Sequence, residues 1–271
     1  ATTRPPGPLA LRGRSGNTYR QSITIRIMTS YHKQPEIFLS MPHACSYLSG
    51  RTATSLFLDP RQPLDSRQYA SFMRLGFRRS GDLVYRPHCR ECNACIPVRI
   101  PVNHFRPDRG QRRVWKRNHD LSVIAHPPFF HQEHFELYQR YQASRHPGGG
   151  MDDPDPKKYM NFLGSRNIDT VFYELRQEQT LLGVAVTDIL PDGLSAVYTF
   201  FDPDEKQRAL GVHAVLWQVE QARARKLPWL YLGYWIKECP KMSYKGHYRP
   251  LEAFVQGHWV SLENPLPRSA P

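Results

Sequence analysis

The sequence predicts an α+β fold: a larger C-terminal domain with a mixed, largely antiparallel sheet and helices, behind a smaller cysteine-containing N-terminal α+β domain. Three observations predict it. From residue 170 the apolar period shortens to that of strands, and three strand-like runs lead into one long helix and a further buried strand. Before residue 126 the elements are short and broken by prolines. Within that first part lies YRPHCRECNACIPVRIPVNHFRPDRGQRRVWKRNHD (85–120), where three cysteines at two-residue gaps run directly into a basic stretch. The chain accordingly divides into an extension (1–27), a basic cysteine-containing domain (28–125) and a second domain (126–271).

At 271 residues the chain can bury a sizeable core, as one large domain or two smaller ones. Its formal net charge is +13 although 24 acidic residues are spread along it, which describes a folded basic protein rather than a basic tail. Nucleic acid is the leading partner class, with anionic lipid as the alternative. No apolar run reaches the ~20 residues of a membrane helix, so no membrane partner is expected. Five cysteines, three of them crowded, do not make a secreted disulfide framework, and a reducing cytoplasm is expected. Residues 1–27 are acid-free and rich in Pro, Gly, Arg and Ser; they read as an extension, with Met28 the natural start of the folded part.

Taken in order, a strand at 36–39 precedes a compact loop with His43 and Cys45, then a short apolar run at 55–58. Residues 65–75 read as a helix capped by Asp65, with Tyr69, Phe72 and Met73 on one face and Gly76 as the stop. After the extended stretch 83–86, residues 96–102 are expected on a sheet edge, where prolines belong. Residues 129–144 form a helix with Phe130, His134, Leu137, Tyr138 and Tyr141 at helical spacing. The segment 145–156 is a glycine-rich joint, from which Asp153-Pro154 caps a short helix through Tyr159, Phe162 and Leu163. Strands follow at 170–176, 181–190 and 194–201, the last two joined by Pro191-Asp192-Gly193. A capped helix from about 204 to 226, a strand at 229–234 and a last strand at 254–260 complete the order.

Three constellations carry chemistry. Cys45, Cys89, Cys92 and Cys95 are candidate metal ligands: four thiolates, or three plus His43 or His88, suit tetrahedral zinc, and the two-residue spacing with one distant cysteine suits a 4Fe–4S cluster. A reduced thiol cluster without metal is the plain alternative, and Cys239 reads as buried. Arg99, Arg106, Arg109, Arg112, Arg113, Lys116 and Arg117 alternate with Phe105 and Trp115, which suits a phosphate backbone and a stacked base, hence RNA. In 231–252, Tyr231, Tyr234, Trp235, Tyr244 and Tyr248 alternate with Lys237, Lys241, Lys245 and Arg249, a density of cations that suits an acidic substrate or a phosphate.

The strand–helix order resembles the skeleton of the GNAT-type acyltransferases. Where those carry a loop that cradles the acyl-CoA pyrophosphate, this chain has Gln207-Arg208-Ala209-Leu210-Gly211-Val212-His213. Arg208 and Gly211 fit that loop, but His213 stands where a small residue is wanted; an acyltransferase with a donor other than acyl-CoA accounts for this, and so does a GNAT-like fold that has lost catalysis. HACSYL (43–48), 76–121, RHPGGGMD (145–152), 186–203 and 231–252 resemble the bacterial aspartate/glutamate leucyltransferases of the arginyl-tRNA–protein transferase family, from about residue 30 to 262. The resemblance implies transfer of leucine from leucyl-tRNA to the α-amine of proteins beginning with Asp or Glu, marking them for degradation. It also implies a GNAT-like C-terminal half and an N-terminal domain whose cysteines bind a metal or cluster. Eukaryotic arginyltransferases carry a paired-cysteine motif where this chain has Leu48, which favours leucyl over arginyl donors and weakens the case for the same cluster.

An aminoacyl ester is already activated, so no cofactor is required for transfer; the enzyme aligns the amine, takes its proton and stabilises an oxyanion. Asp188, near a strand end, is the candidate to hold or deprotonate the α-ammonium, and Tyr198 or Tyr234 to donate to the leaving ribose hydroxyl. Arg99, Lys241, Lys245 or Arg249 would meet the acceptor's acidic side chain, and Arg106, Arg109, Arg112, Arg113, Lys116 and Arg117 the tRNA. A non-catalytic, metal-dependent RNA-binding module would use the basic strip and cysteines alone.

Overall fold

A computed structural model describes residues 35–146 and 154–262. The chain divides into two units, Ala1–Gln34 and Pro35–Pro271, and every described residue belongs to the second. The extension read at 1–27, the glycines at 148–150 and Asp153 lie outside the described residues.

The first elements are β1 (Ile37–Leu39), β2 (His43–Ala44), β3 (Thr52–Ala53), β4 (Ser55–Leu58), α1 (Ser66–Arg74), β5 (Arg78–Ser80) and β6 (Leu83–Pro87). There follow β7 (Ile96–Pro101), α2 (Arg109–Arg117), β8 (Leu121–His126), α3 (Gln132–Arg145), α4 (Pro156–Leu163), β9 (Thr170–Gln177), β10 (Thr180–Leu190) and β11 (Gly193–Phe201). A 3-10 turn (Lys206–Arg208) precedes α5 (Leu210–Ala224), β12 (Trp229–Trp235) and α6 (Pro240–Ser243). A second 3-10 turn (Tyr244–His247) leads to the hairpin β13 (Glu252–Val255) and β14 (His258–Ser261).

Among the described residues the strands make one eight-stranded mixed sheet in the order β14-β13-β7-β12-β11-β10-β9-β8, a four-stranded sheet β1-β4-β6-β5 and the pair β2-β3. Alternation sets the layers of the large sheet. In β10, Val184 and Val186 join the cluster with Phe135 and Tyr138 of α3 and Leu163 of α4, whereas Ala185 between them joins Ala214 of α5. Leu194, Val98 and Leu230 bury the other part of α5 through Val215 and Val219. Fully burying a side chain of this kind contributes about 1.5–3 kcal/mol.

Local signals hold the helix starts. The Asp65 carboxylate accepts from Arg67 and Gln68 backbone N–H, and Gln68 returns the bond, a reciprocal cap of about 1 kcal/mol. Gly76 follows at φ +85, as a stop requires.

Five expectations need correction. Residues 96–101 are not an edge strand: β7 lies between β13 and β12. Its prolines are tolerated there because β13 pairs only with Val98 and Arg99, leaving Pro97 and Pro101 outside the short ladder. The boundary drawn at residue 125 crosses the sheet, since β7 comes from before it, β8 (Leu121–His126) straddles it and the other six strands come from after it. The short helix starts at Pro156 under an Asp155 cap, not at 153–154. The long helix starts at Leu210 without a side-chain cap, because Lys206–Arg208 takes the tighter 3-10 form and Ala209 turns left-handed at φ 51. The last strand is a hairpin, turning at Gln256 and Gly257, both at positive φ.

Candidate active site and tRNA interface

β11 and β12 are parallel neighbours for only three pairs, Gly193–Trp229, Leu194–Leu230 and Ser195–Tyr231. Irregularities flank the parting: the β10–β11 register shifts between Val186 and Thr187, and the β12–β7 register between Tyr231 and Gly233, where Gly233 has φ +80. Bulges bend strands and raise their twist, so the two strands separate past Ser195 and Tyr231. Ala196–Thr199 become half-buried beyond that point.

Tyr198 lines the opening from β11. Its hydroxyl accepts a hydrogen bond from Gln142 Nε2 (2.8 Å), and its ring meets Phe162 (5.2 Å), Tyr138 (6.3 Å) and Tyr141 (6.4 Å). Burial, then the neighbouring Tyr141, raises its pKa, so it is a donor and not a base. Close by in the same aromatic group, Tyr141 packs on His146 (5.8 Å), whose Nδ1 is 3.1 Å from Lys241 Nζ. Burial and then the Lys241 charge lower the His146 pKa, which keeps the imidazole neutral at physiological pH.

The basic run becomes α2 and its flank. Asp108 caps the helix through Gln111 N–H, and Gln111 Oε1 accepts from Asp108 N–H in return. Arg106, Arg109, Arg112, Arg113, Lys116 and Arg117 are all exposed, and none has a carboxylate partner among the described residues. The helix is fixed against the start of α5: Trp115 packs on His213 (5.3 Å), Asn118 Nδ2 donates to the Arg208 carbonyl (2.8 Å), and Arg117 to that of Gln207. His213 is 4 % exposed, and burial lowers its pKa to about 4, so it is a neutral packing group. Arg208 is committed to Asp120 (2.9 Å) and Glu205 (3.2 Å), not held open for a pyrophosphate.

The remaining sequence candidates are scattered. Asp188 is fully buried: its carboxylate takes Arg79 Nε (2.7 Å) and Nη2 (2.6 Å) and Thr170 Oγ1 (2.8 Å), and the Arg79 side chain is equally buried. Burial alone would lower the Arg79 pKa, but the Asp188 charge holds it above its ordinary value. A saturated, enclosed carboxylate is an anchor and not the base expected of it. Tyr234 is also unsuited to its assigned role, since its hydroxyl is buried and bonds to the Gly76 (3.0 Å) and Tyr85 (3.2 Å) carbonyls. Arg99 lies between the Trp229 (3.5 Å) and Trp259 (4.2 Å) rings and bonds Glu252 (2.8 Å), so its charge is compensated. Lys241 and Arg249 are exposed, whereas Lys245 is buried; these cations do not form one cluster.

Cys45, Cys89, Cys92 and Cys95 are half-buried free thiols, and Cys89 bridges Cys92 through the backbone. Burial, then the neighbouring Cys45, Cys89 and Cys92, pushes the Cys95 thiol up to about 12. Among the described residues no group of three or more His, Cys, Asp or Glu side chains already has the arrangement of a metal site.

Residues 133–255 match the family model described as Arginine-tRNA-protein transferase, C terminus, and residues 43–113 the one described as Arginine-tRNA-protein transferase, N terminus. The chain belongs to this family. The aspartate/glutamate leucyltransferase of Pseudomonas syringae pv. tomato is 53% identical over 227 residues, covering 84% of this chain and 97% of that protein. The aspartate/glutamate leucyltransferase of Nitrosococcus oceani is 52% identical over 237 residues, covering 87% and 99%. Among solved structures, L-PGS from Bacillus licheniformis aligns with a TM-score of 0.39 at 9% identity, over 62% of this chain and 51% of that one.

In this member of the transferase family, Gln142 and His146, which the structure places beside Tyr198 and Lys241, were not singled out from the sequence. His146 lies in the RHPGGGMD stretch that carried the resemblance, yet it drew attention there only as part of a joint. Gln142 follows Tyr138 by four residues on α3, a spacing that places it on the same helix face.

Proposed function

We propose that the protein transfers leucine from leucyl-tRNA to the α-amine of proteins beginning with Asp or Glu, marking them for degradation in the cytoplasm. The observation that carries this reading is the 53% identity to an aspartate/glutamate leucyltransferase across 97% of that protein's length. On this reading the large sheet and α5 form a GNAT-like acyltransferase core, and the cysteine-bearing residues before it dock on that core. The exposed cations of α2 neutralise tRNA phosphates, and the helix's attachment to α5 brings the aminoacylated end to the parting of β11 and β12.

The reaction is aminolysis of an ester. The acceptor amine attacks the aminoacyl carbonyl, the bond to the ribose oxygen breaks, and the amine's proton leaves for a base. His146, neutral and hydrogen-bonded to Lys241, is our candidate to take that proton. Tyr198, held by Gln142, is our candidate donor to the departing ribose oxygen. Alignment of two bound substrates supplies much of the acceleration, with no covalent intermediate.

The test is transfer of radiolabelled leucine and, separately, arginine from charged tRNA onto peptides beginning with Asp, Glu or Ala. Leucine on Asp and Glu peptides, but not on Ala, is expected. Arginine moved instead would change the donor, and no transfer of either with tRNA still bound would leave an RNA-binding module.

A further inference from the structure

Two basic side chains packed against Tyr234 are buried without a carboxylate partner among the described residues. They are Arg78 on β5 and Lys245 in the second 3-10 turn, 6 % and 7 % exposed. Arg78 Nη1 donates to the Phe77 carbonyl (2.6 Å) and lies 3.6 Å from Met73 Sδ; Nη2 reaches the Val98 carbonyl only at 3.5 Å, and the buried Nε has no partner. The guanidinium lies over the rings of Tyr231 (5.4 Å) and Tyr234 (5.9 Å). Lys245 Nζ donates to the Tyr234 carbonyl (2.8 Å), with Met242 Sδ at 3.7 Å. Burial first, then the Arg78 charge, lowers the Lys245 pKa to about 7.

The neighbouring residue shows what a satisfied buried arginine looks like here. Arg79 has Asp188, Thr170 and the carbonyls of Gly81, Gly164 and Leu163. A buried cation without a counter-ion is destabilising in itself. Two of them, both packed against Tyr234 and near enough for the Arg78 charge to act on Lys245, therefore point to an anion that arrives from outside. The position agrees. Lys245 bonds Tyr234 in the stretch of β12 that β11 has left, and a Cβ on Gly233 would come 3.7 Å from its Nζ, covering a side that glycine leaves open.

We propose that Arg78 and Lys245 bind the side-chain carboxylate of the acceptor's first residue and select Asp and Glu over Asn and Gln, an assignment that rests on the acidic-acceptor reading above. The planar two-oxygen group matches the unused donors of the guanidinium, and the ammonium has further protons to give. An amide puts a donor against these donors and is rejected.

The test measures binding of peptides beginning with Asp, Glu and Asn, by fluorescence anisotropy, to wild type, Arg78→Met and Lys245→Met, with leucine transfer to the same peptides. Each variant should bind the Asp and Glu peptides about tenfold or more weakly, leave the Asn peptide and leucyl-tRNA affinities unchanged, and melt no lower than wild type. Wild-type affinity for Asp peptides should fall as pH rises through about 7, where Lys245 loses its proton, and Lys245→Met should abolish that dependence. Should Arg78→Met not fold, Lys245→Met carries the same comparison. An unchanged Asp-to-Asn ratio in a folded variant, or a lower melting temperature with equal loss for all peptides, overturns the assignment. If wild type still transfers leucine to Asp peptides in that case, the proposed reaction stands without this pocket. A wild type that transfers no leucine yet prefers Asp peptides through these two cations removes the reaction and keeps the pocket.

Discussion

Asp188→Asn separates an anchor from a base. The wild-type carboxylate accepts three hydrogen bonds, two from Arg79 and one from Thr170, at a site with no exposed side-chain surface. An amide keeps the shape but offers one oxygen, and its NH2 must face an Arg79 or Thr170 donor. It also leaves the Arg79 charge without its counter-ion. Breaking a buried pair by removing one partner costs about 3–5 kcal/mol, a large share of the ~5–15 kcal/mol that holds a typical domain. For a chain of this size that corresponds to a fall in Tm of about 6–20 °C. Urea unfolding followed by tryptophan fluorescence reads the loss directly, and leucine transfer is measured per folded molecule well below the transition. The expected result is a large drop in midpoint with turnover per folded molecule nearly kept. The double variant Arg79→Met/Asp188→Leu should lose less than the sum of the single losses, because both charges leave together. An Asp188→Asn protein with the wild-type midpoint and turnover reduced by about 10²–10⁴, the range for a lost general base, would refute the anchor and restore the catalytic role.

Three further outcomes follow from particular contacts. Charge reversal at Arg112 and Arg113 should weaken tRNA binding and reduce the slope of log affinity against log salt by about 1.8, at ~0.9 per phosphate contact; an unchanged slope in filter binding would exclude α2. Burial pushes the Glu174 pKa up, but hydrogen bonds from Arg176 and His134 overcome it and bring the value down to about 2. Because that folded value lies below the ordinary 4.5, the gain is full above pH 4.5 and disappears as pH falls toward 2, a loss of about 3 kcal/mol that Glu174→Gln should flatten in acid unfolding curves. Gly81→Ala should cost more than about 2 kcal/mol, since Gly81 has φ +59 and a Cβ would lie 1.9 Å from the Asn161 carbonyl oxygen, which thermal melting will register.

What could be read from sequence was what lies close in sequence. Asp65 and Gln68 are three residues apart, so the α1 cap was legible, as was the β10–β11 hairpin around Pro191 and Asp192. The six cations of α2 and its flank were legible because cations without partners default to solvent. The interior place of β7 depends on β13, some 150 residues later, and no local period reports it. Asp188 looked like a base because its partner is 109 residues away, and Tyr234 like a donor because the Gly76 carbonyl is 158 residues away. Both residues carry the right functional groups; tertiary pairing has already used them.

The same limit explains Arg78, and shows what the fold adds. Arg78 and Arg79 are adjacent, chemically identical and both buried, so composition cannot rank them. Strand alternation sends their side chains to opposite faces of β5. One face presents Asp188 and a ring of carbonyls; the other presents two tyrosine rings and another cation. A sequence selected for stability alone would leave neither Arg78 nor Lys245 uncompensated in the interior. Local conflicts of this kind are expected at functional sites, where the missing partner is the ligand. The parity of one three-residue strand thus separates a residue that holds the fold from one left free to bind.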